Sequence, residues 1–182
     1  MTTPVEHIVQ ITSLAYGGKG VGRVNGKVVF VPYTAPGDEA RIEIAEEKKG
    51  FSEGVLKGLV TPSPLRQAPC CGLYGVCGGC ALQHIGYAHQ LEWKQKMLED
   101  TLERIGGIEE IPFDPPQSSP EVFNYRSRAR FQVNGRRWGF FESGSHRGAP
   151  VEDCPLLDLV INDAFGRLKD IFLSGRHGKA PP

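Results

Sequence analysis

Four of the chain's five cysteines fall within one eleven-residue stretch, CCGLYGVCGGC, at positions 70–80. Thiolates gathered this densely suit the ligation of a metal or cluster. Cys77 and Cys80 form a C-x2-C pair, a spacing that lets two thiolates reach one centre from a single turn, and the glycines between them let backbone fold around sulfur. Cys71 stands upstream to give C-x5-C-x2-C, with Cys70 beside it, and Cys154 lies 74 residues beyond Cys80, directly before a proline. Two ligations compete. Zinc takes four ligands, usually as two C-x2-C-like pairs; here a second pair is missing, although Cys71 and Cys154 would complete an all-cysteine site. A [4Fe–4S] cluster takes three cysteines from one loop and a fourth from far away, often in Cys-Pro, and the chain shows that arrangement. Buried thiols serving as small apolar residues would account for one cysteine, not for four in a glycine-rich loop. The radical-SAM pattern C-x3-C-x2-C has a different spacing and leaves one iron corner open, so a structural cluster is favoured over a catalytic one.

The remaining composition sets the context for that chemistry. The chain has 182 residues, 40% hydrophobic and 23% charged, with 23 glycines and 14 prolines, as expected for a globular protein of short strands and turns. Its start, MTTPVEHIVQ, has no basic, apolar leader, and no stretch approaches the roughly 18 apolar residues of a membrane span. The expected compartment is the reducing cytoplasm, with no membrane partner, where structural disulfides are rare. Formal net charge is zero, but residues 115–150 carry six arginines, no lysine and two acids, Glu121 and Glu142. A concentrated basic segment in a neutral chain points to a local binding face.

Several elements must position these groups. Residues 5–60 read as about five short strands divided by Gly17-Gly18, Asn25-Gly26, Pro36-Gly37-Asp38 and Lys49-Gly50, and a sheet this small protects its edges best by closing into an OB-like barrel. GGKGVG (17–22) runs into a strand rather than opening a helix, so it is read as a turn and not as a dinucleotide or SAM loop. Tyr87, Leu91, Leu98, Leu102 and Ile105 form a helical stripe closed by Gly106-Gly107, with Glu92/Lys96 and Asp100/Arg104 as four-apart pairs. PFDPPQSSP is a linker. YRSRARFQV and RRWGFFE flank Asn134-Gly135, which predicts a hairpin pairing Val133 with Arg136, Phe131 with Trp138 and Ala129 with Phe140. One hairpin face, Ala129, Phe131, Val133, Trp138 and Phe140, is then core. The other carries Arg126, Arg128, Arg130, Arg137 and Phe141, a set able to fork onto phosphate and to stack on unpaired bases; His146 and Arg147 are weaker members, and a solvated, salt-bridged face is the plainer alternative. Leu157, Val160, Ile161, Ala164, Leu168, Ile171 and Phe172 predict a final amphipathic helix ending at Ser174-Gly175.

CGLYGVCGGCALQHIGYAHQLEWKQKMLEDTLERIGG, followed by YRSRARF, GFFESGSHR and DCPLL, resembles SAM-dependent RNA uracil-C5 (5-methyluridine) methyltransferases of the 23S rRNA type, and residues 5–60 resemble their TRAM domain. The resemblance implies that Cys71, Cys77, Cys80 and Cys154 hold a [4Fe–4S] cluster; Cys70 has no place in the pattern, although a slip to Cys70 as ligand stays open. It implies RNA as partner, ribosomal rather than transfer RNA, a role in rRNA processing, and no obligate protein partner. In that family a further Rossmann-like domain carries the SAM loop, the cysteine nucleophile and the glutamate base. This sequence stops at Pro182, before them, so no catalytic or SAM-binding residue is assigned and the chain is expected to be inactive alone.

The expected fold class is therefore α+β: a TRAM-like five-stranded OB-like barrel (1–61), an iron–sulfur cysteine loop (62–84), a helix (85–110), a linker (111–121), a central α/β region with an antiparallel hairpin (122–173) and a tail (174–182), without the Rossmann-like domain. The competing reading is a stand-alone RNA-binding module with a structural zinc or iron–sulfur site.

Overall fold

The computed structural model describes residues 5–108, 110–135 and 137–174. The chain is mostly β with two helices and divides into two compact units, Met1–Pro69 with Ala81–Ser118, and Cys70–Cys80 with Ser119–Pro182. Among the described residues no helix is long and apolar enough to cross a membrane.

The first unit holds β1 (Glu6–Gln10), β2 (Ser13–Leu14), β3 (Gly20–Val24), β4 (Lys27–Val31), β5 (Glu39–Glu47), β6 (Phe51–Thr61) and the helix α1 (Tyr87–Arg104). The strands form one sheet in the order β1-β5-β6-β4-β3-β2, antiparallel except where β4 runs parallel to β6. Turn chemistry explains the joints. Asn25 (φ 50°) and Gly26 (φ 81°) make the left-handed two-residue turn between β3 and β4, while Ala35-Pro36-Gly37-Asp38 closes with Gly37 at φ 93° and the Asp38 N–H donating to the Ala35 carbonyl at 3.0 Å. GGKGVG leads into β3 as its sequence suggests.

The closed five-stranded barrel and the α+β class expected from sequence are overturned. The sheet has six strands, and no ladder joins its edge strands β1 and β2. The reason lies at Ile11 and Thr12: the Ile11 N–H still donates toward the β5 side, to Asp38 O at 2.9 Å, whereas the Thr12 N–H donates to Val21 O of β3 at 2.9 Å. What reads as one strand over 5–15 is thereby split into two short ones with different partners. Alternation fills the interior with Val9, Ile11, Val29, Val31, Ala40 and Ile42.

A second cluster of Leu14, Ala35, Ile85 and Met97, supported by Leu65, Leu82 and Trp93, packs α1 in the same unit. The helix lies within the expected 85–110, but its buried stripe is rotated. Trp93 and Met97 face inward, while Leu98 and Ile105 of the expected stripe are exposed. Lys96 lies over the Trp93 ring at 4.6 Å, and the Asp100–Arg104 pair forms loosely at 3.9 Å.

The second unit holds β7 (Gln132–Asn134), β8 (Arg137–Phe141), β9 (Gly148–Pro150) and α2 (Leu159–Leu173), with the strands in one antiparallel sheet. The hairpin exists in a different register. Asn134 pairs with Arg137 and Val133 with Trp138, two residues further along β8 than the Asn134-Gly135 turn predicts; Arg136 lies outside the described residues. A two-residue shift preserves facing, so Ala129, Phe131, Trp138 and Phe140 still enter the core, around Val151, Leu157 and Phe165. Val133 does not and is exposed. β9, invisible in the sequence, crosses Gly139 so closely that a Cβ there would run into the Ala149 carbonyl. In α2 the anchor is Phe165, stacked on Phe131 at 3.7 Å, and Val160 is exposed rather than buried. Asp158 caps the helix by accepting the Val160 N–H at 2.8 Å.

Asp38 organises the first unit from its interior. It has no exposed surface, accepts the Ala35 and Ser63 N–H groups at 2.6 and 2.8 Å, and takes both Arg66 Nε and an Arg66 terminal nitrogen at 2.7 Å. Burial alone would raise its pKa; the Arg66 hydrogen bonds, the two amides and the Arg66 charge together outweigh that and hold the carboxyl below its ordinary value. A depressed folded pKa stabilises above the unfolded value of about 3.9 and is lost as pH falls through the lower folded value. Asp38→Asn should therefore cost about 3 kcal/mol in urea unfolding at pH 7, and below about pH 4 the gap between wild type and variant should narrow.

Candidate metal centre and nucleic-acid interface

The cysteine loop is a chain of tight turns. The Tyr74 N–H donates to Cys71 O at 3.0 Å, and the Val76 and Cys77 N–H groups to Leu73 O at 3.0 and 2.8 Å, with Gly75 at φ 86°. Its second half is stitched to the end of β8: the Gly78 N–H donates to Phe141 O at 2.9 Å and the Ser143 N–H to Val76 O at 2.8 Å. The Gly79 N–H points at the Cys77 sulfur from 3.4 Å, a contact that favours a thiolate.

Cys154 belongs to the same unit. It is buried, and Leu73 of the cysteine loop packs into its hydrophobic cluster. A turn follows it, closed by the Leu157 N–H donating to Cys154 O at 3.0 Å. Asn162 clamps this turn from α2: its Oδ1 accepts the Cys154 N–H at 3.1 Å and its Nδ2 donates to Cys154 O at 2.9 Å. The sequence reading passed over Asn162. The available signal was an amide side chain inside an apolar helix, where asparagine is a poor helix former and a good local hydrogen-bonder.

Burial pushes the Cys77 thiol up, the Gly79 N–H opposes it, and charge on Cys71 and Cys154 adds to it; burial also raises Cys70, again with Cys71 and Cys154 contributing. None of the five cysteines is in a disulfide. Among the described residues no group of three or more His, Cys, Asp or Glu side chains is drawn together as a single ion requires.

The basic segment takes a different shape from the expected hairpin face. Residues 127–131 join no ladder, and Arg126 bridges Leu157 in parallel, its N–H donating to Leu156 O at 2.8 Å. Arg126, Arg128, Arg130, Arg137, Phe141, His146 and Arg147 are all exposed. Arg126 lies over the Phe140 ring at 5.7 Å, and the two residues line a shallow cleft of about 390 Å³ with Phe141, Glu142, Gly78 and Gly79. His146 meets the Phe141 ring edge-on at 5.5 Å, and Arg147 pairs with Glu142 at 3.6 Å. The weaker candidates thus join the Phe141 rim, whereas Arg128, Arg130 and Arg137 lie outside this cleft's lining. A larger cleft of about 870 Å³ in the first unit, with Tyr16, Lys19, Arg23, Phe30 and Phe51 among its walls, was not singled out in the sequence.

Removing the Asn162 clamp should loosen the Cys154 turn while leaving every thiol in place. Asn162→Ala should lower stability by about 1–3 kcal/mol in urea unfolding, because the Cys154 N–H loses its partner and the Cys154 carbonyl is left with the Leu157 N–H alone.

Comparison with known proteins gives this geometry a context. A TRAM domain is matched over residues 7–57. An RNA methyltransferase of Aquifex aeolicus, itself uncharacterised, is 37% identical over 161 residues, which span 88% of this chain and 38% of that protein. An uncharacterised RNA methyltransferase of Synechocystis is 38% identical over 157 residues, or 84% of this chain and 34% of the relative. Among solved structures, the Pyrococcus abyssi tRNA (uracil-54, C5)-methyltransferase in complex with S-adenosyl-L-homocysteine superimposes with a TM-score of 0.62 at 30% identity, covering 93% of this chain and 38% of that one. The chain spans little more than a third of the length of each of these proteins. It carries a TRAM domain and is homologous, over most of its length, to RNA methyltransferases.

Proposed function

We propose that this chain is the RNA-gripping N-terminal part of a SAM-dependent RNA uracil-C5 methyltransferase, with Cys71, Cys77, Cys80 and Cys154 as the ligands of a structural [4Fe–4S] cluster. The observation that carries this reading is that residues 70–80 and Cys154 share one compact unit, in which Leu73 of the loop packs against the cluster that holds Cys154. The donor set fits: four thiols, one loop plus a distant Cys-Pro, and an N–H aimed at sulfur. Cys71, Cys77, Cys80 and Cys154 would hold the cluster through their thiolates. When bound, the cluster supplies a covalent staple between the loop and the Cys154 turn.

The chain's own residues do the RNA work. Arg126 and Phe140 wall a cleft that the Cys77–Gly79 turn borders, and Phe141 offers an exposed ring for stacking. Arg128, Arg130 and Arg137 supply phosphate contacts around it. SAM and the reacting residues are assigned to the remainder of the longer protein, which would receive a uridine flipped out of the RNA.

Two measurements test this reading. Anaerobically purified protein should show a broad absorption band near about 400 nm, with about four irons and four sulfides per chain. A colourless protein with one zinc would contradict the cluster and leave RNA binding standing. In a salt titration of binding to 23S ribosomal and transfer RNA fragments, charge reversal at Arg128 and Arg130 should weaken affinity and flatten the log–log slope by about 1.4, from two contacts at about 0.7 each. The RNA bound more tightly names the target class, and an unchanged slope would return these arginines to an ordinary solvated face.

A further inference from the structure

The cleft of about 870 Å³ in the first unit has no part in the site described above. Arg23 and Phe30 reach it from β3 and β4, Phe51 from β6, and Arg104 and Ile105 from the end of α1, which lies beyond the residues matched as a TRAM domain. β3 and β4 bury Gly22, Val29 and Val31, so their alternate residues face outward. A solvated sheet face is expected to be polar, and that of β1 and β5 carries ion pairs: Glu6 with Arg41 at 3.7 Å, and Glu43 with Lys57 of β6 at 2.9 Å. Over β3, β4 and the start of β6 the face instead carries Val21, Val28, Phe30 and Phe51, all only half-buried, with the two rings edge to face at 5.4 Å. Tyr16 stands on the rim and is 89% exposed. It sits at the tip of a turn closed by the Ala15 N–H to Lys19 O at 2.8 Å and the Gly18 N–H to Ala15 O at 2.9 Å, with Gly17 at φ 88°. The start of GGKGVG, which fails as a phosphate loop, thus fixes a tyrosine outward.

Charge decides what such a surface receives. Both acids in the cleft wall are already paired, Glu53 with Lys19 at 2.6 Å and Asp100 with Arg104 at 3.9 Å. Arg23 donates to the Gly26 carbonyl at 2.8 Å, and among the described residues no carboxylate pairs with it. Exposed rings beside a cation that lacks a counter-charge suit a polyanion with flat apolar faces better than an apolar peptide. Resting on the RNA-binding reading above, we propose that this cleft is a second RNA site, one that takes unpaired nucleotides. Tyr16 and Phe30 stack on bases, and Arg23 and Arg104 meet the phosphates. Lys48 lies over the Phe51 ring at 5.4 Å, so Phe51 backs Phe30 rather than stacking itself. Base pairing hides the faces that the rings need, and stacking reads no base identity. The cleft therefore selects RNA by strandedness and not by sequence.

Ultraviolet cross-linking of the whole chain to a thiouridine-substituted single strand of about twelve nucleotides, mapped by mass spectrometry, tests this without any variant. Cross-links at Tyr16 or Phe30 are expected. Cross-links confined to residues 126–147 would overturn the second site and leave the RNA reading standing, whereas a chain that binds no RNA overturns both. Anisotropy titrations with the same strand supply the energetic check. Tyr16→Ala should weaken binding at least about fivefold, and Tyr16→Phe, which keeps the ring, should behave as wild type. Arg23→Glu should flatten the log–log salt slope by about 0.7. The strand annealed to its complement should show neither effect. Both altered side chains are exposed, so loss of folding does not confuse the result. Wild-type affinity and slope in the Tyr16→Ala/Arg23→Glu double variant would overturn the proposal. So would a self-association of the wild type, seen by sedimentation, that Tyr16→Ala abolishes while RNA affinity stays unchanged, since the cleft would then be an interface between copies of the chain.

Discussion

Two backbone hydrogen bonds, from Gly78 to the Phe141 carbonyl and from Ser143 to the Val76 carbonyl, decide where the cysteine loop lies. Each contributes about 1 kcal/mol by itself. Their consequence is larger than their energy, because they fix a glycine-rich, turn-filled segment to the end of a strand whose other neighbour is β9. The same unit carries the Cys154 turn, pinned by Asn162 on α2. A loop and a turn whose nearest cysteines are 74 residues apart in sequence thereby belong to one compact unit, with Leu73 of the loop packed against the cluster that holds Cys154. A unit of this size has a modest core, in which Phe131, Trp138, Phe140 and Phe165 supply most of the volume, and small units of this kind gain disproportionately from a covalent staple.

The same stitching ties the sulfur to the basic face. Gly78 and Gly79 border the cleft that Arg126, Phe140 and Phe141 line, so the turn that positions two candidate ligands also forms one wall of the candidate RNA site. A change in the loop would be felt at the cleft through backbone contacts alone. Electrostatics gives that face its direction. The chain is neutral overall, but the exposed arginines of residues 115–150 meet only two acids in that stretch, one of which, Glu142, is paired with Arg147.

Local chemistry was the legible part of the sequence. The Asn25-Gly26 and Pro36-Gly37 turns, the presence of α1, and the inward alternation of Phe131, Trp138 and Phe140 follow from dihedral preference and side-chain period, which are properties of adjacent residues. The illegible part was set by partners distant in sequence. Whether residues 5–15 form one strand or two depends on Asp38 and Val21 competing for consecutive N–H groups. The hairpin register follows β9 and the core rather than Asn134-Gly135, and the inward stripe of α1 follows Trp93 and Met97 because they meet Leu14, Ala35 and Ile85. At the candidate site the cysteines advertised themselves by spacing. Asn162 did not, since its importance rests on reaching back eight residues to a backbone turn that only the fold creates.

The proposed site stands or falls on whether the loop thiols and Cys154 share one iron–sulfur centre. Diffraction from anaerobically grown crystals, with anomalous data collected on both sides of the iron absorption edge, tests it most directly. The expected result is a single compact iron peak bounded by the sulfurs of Cys71, Cys77, Cys80 and Cys154. An iron peak ligated elsewhere, a zinc-edge signal in its place, or Cys154 standing apart from the metal would contradict it.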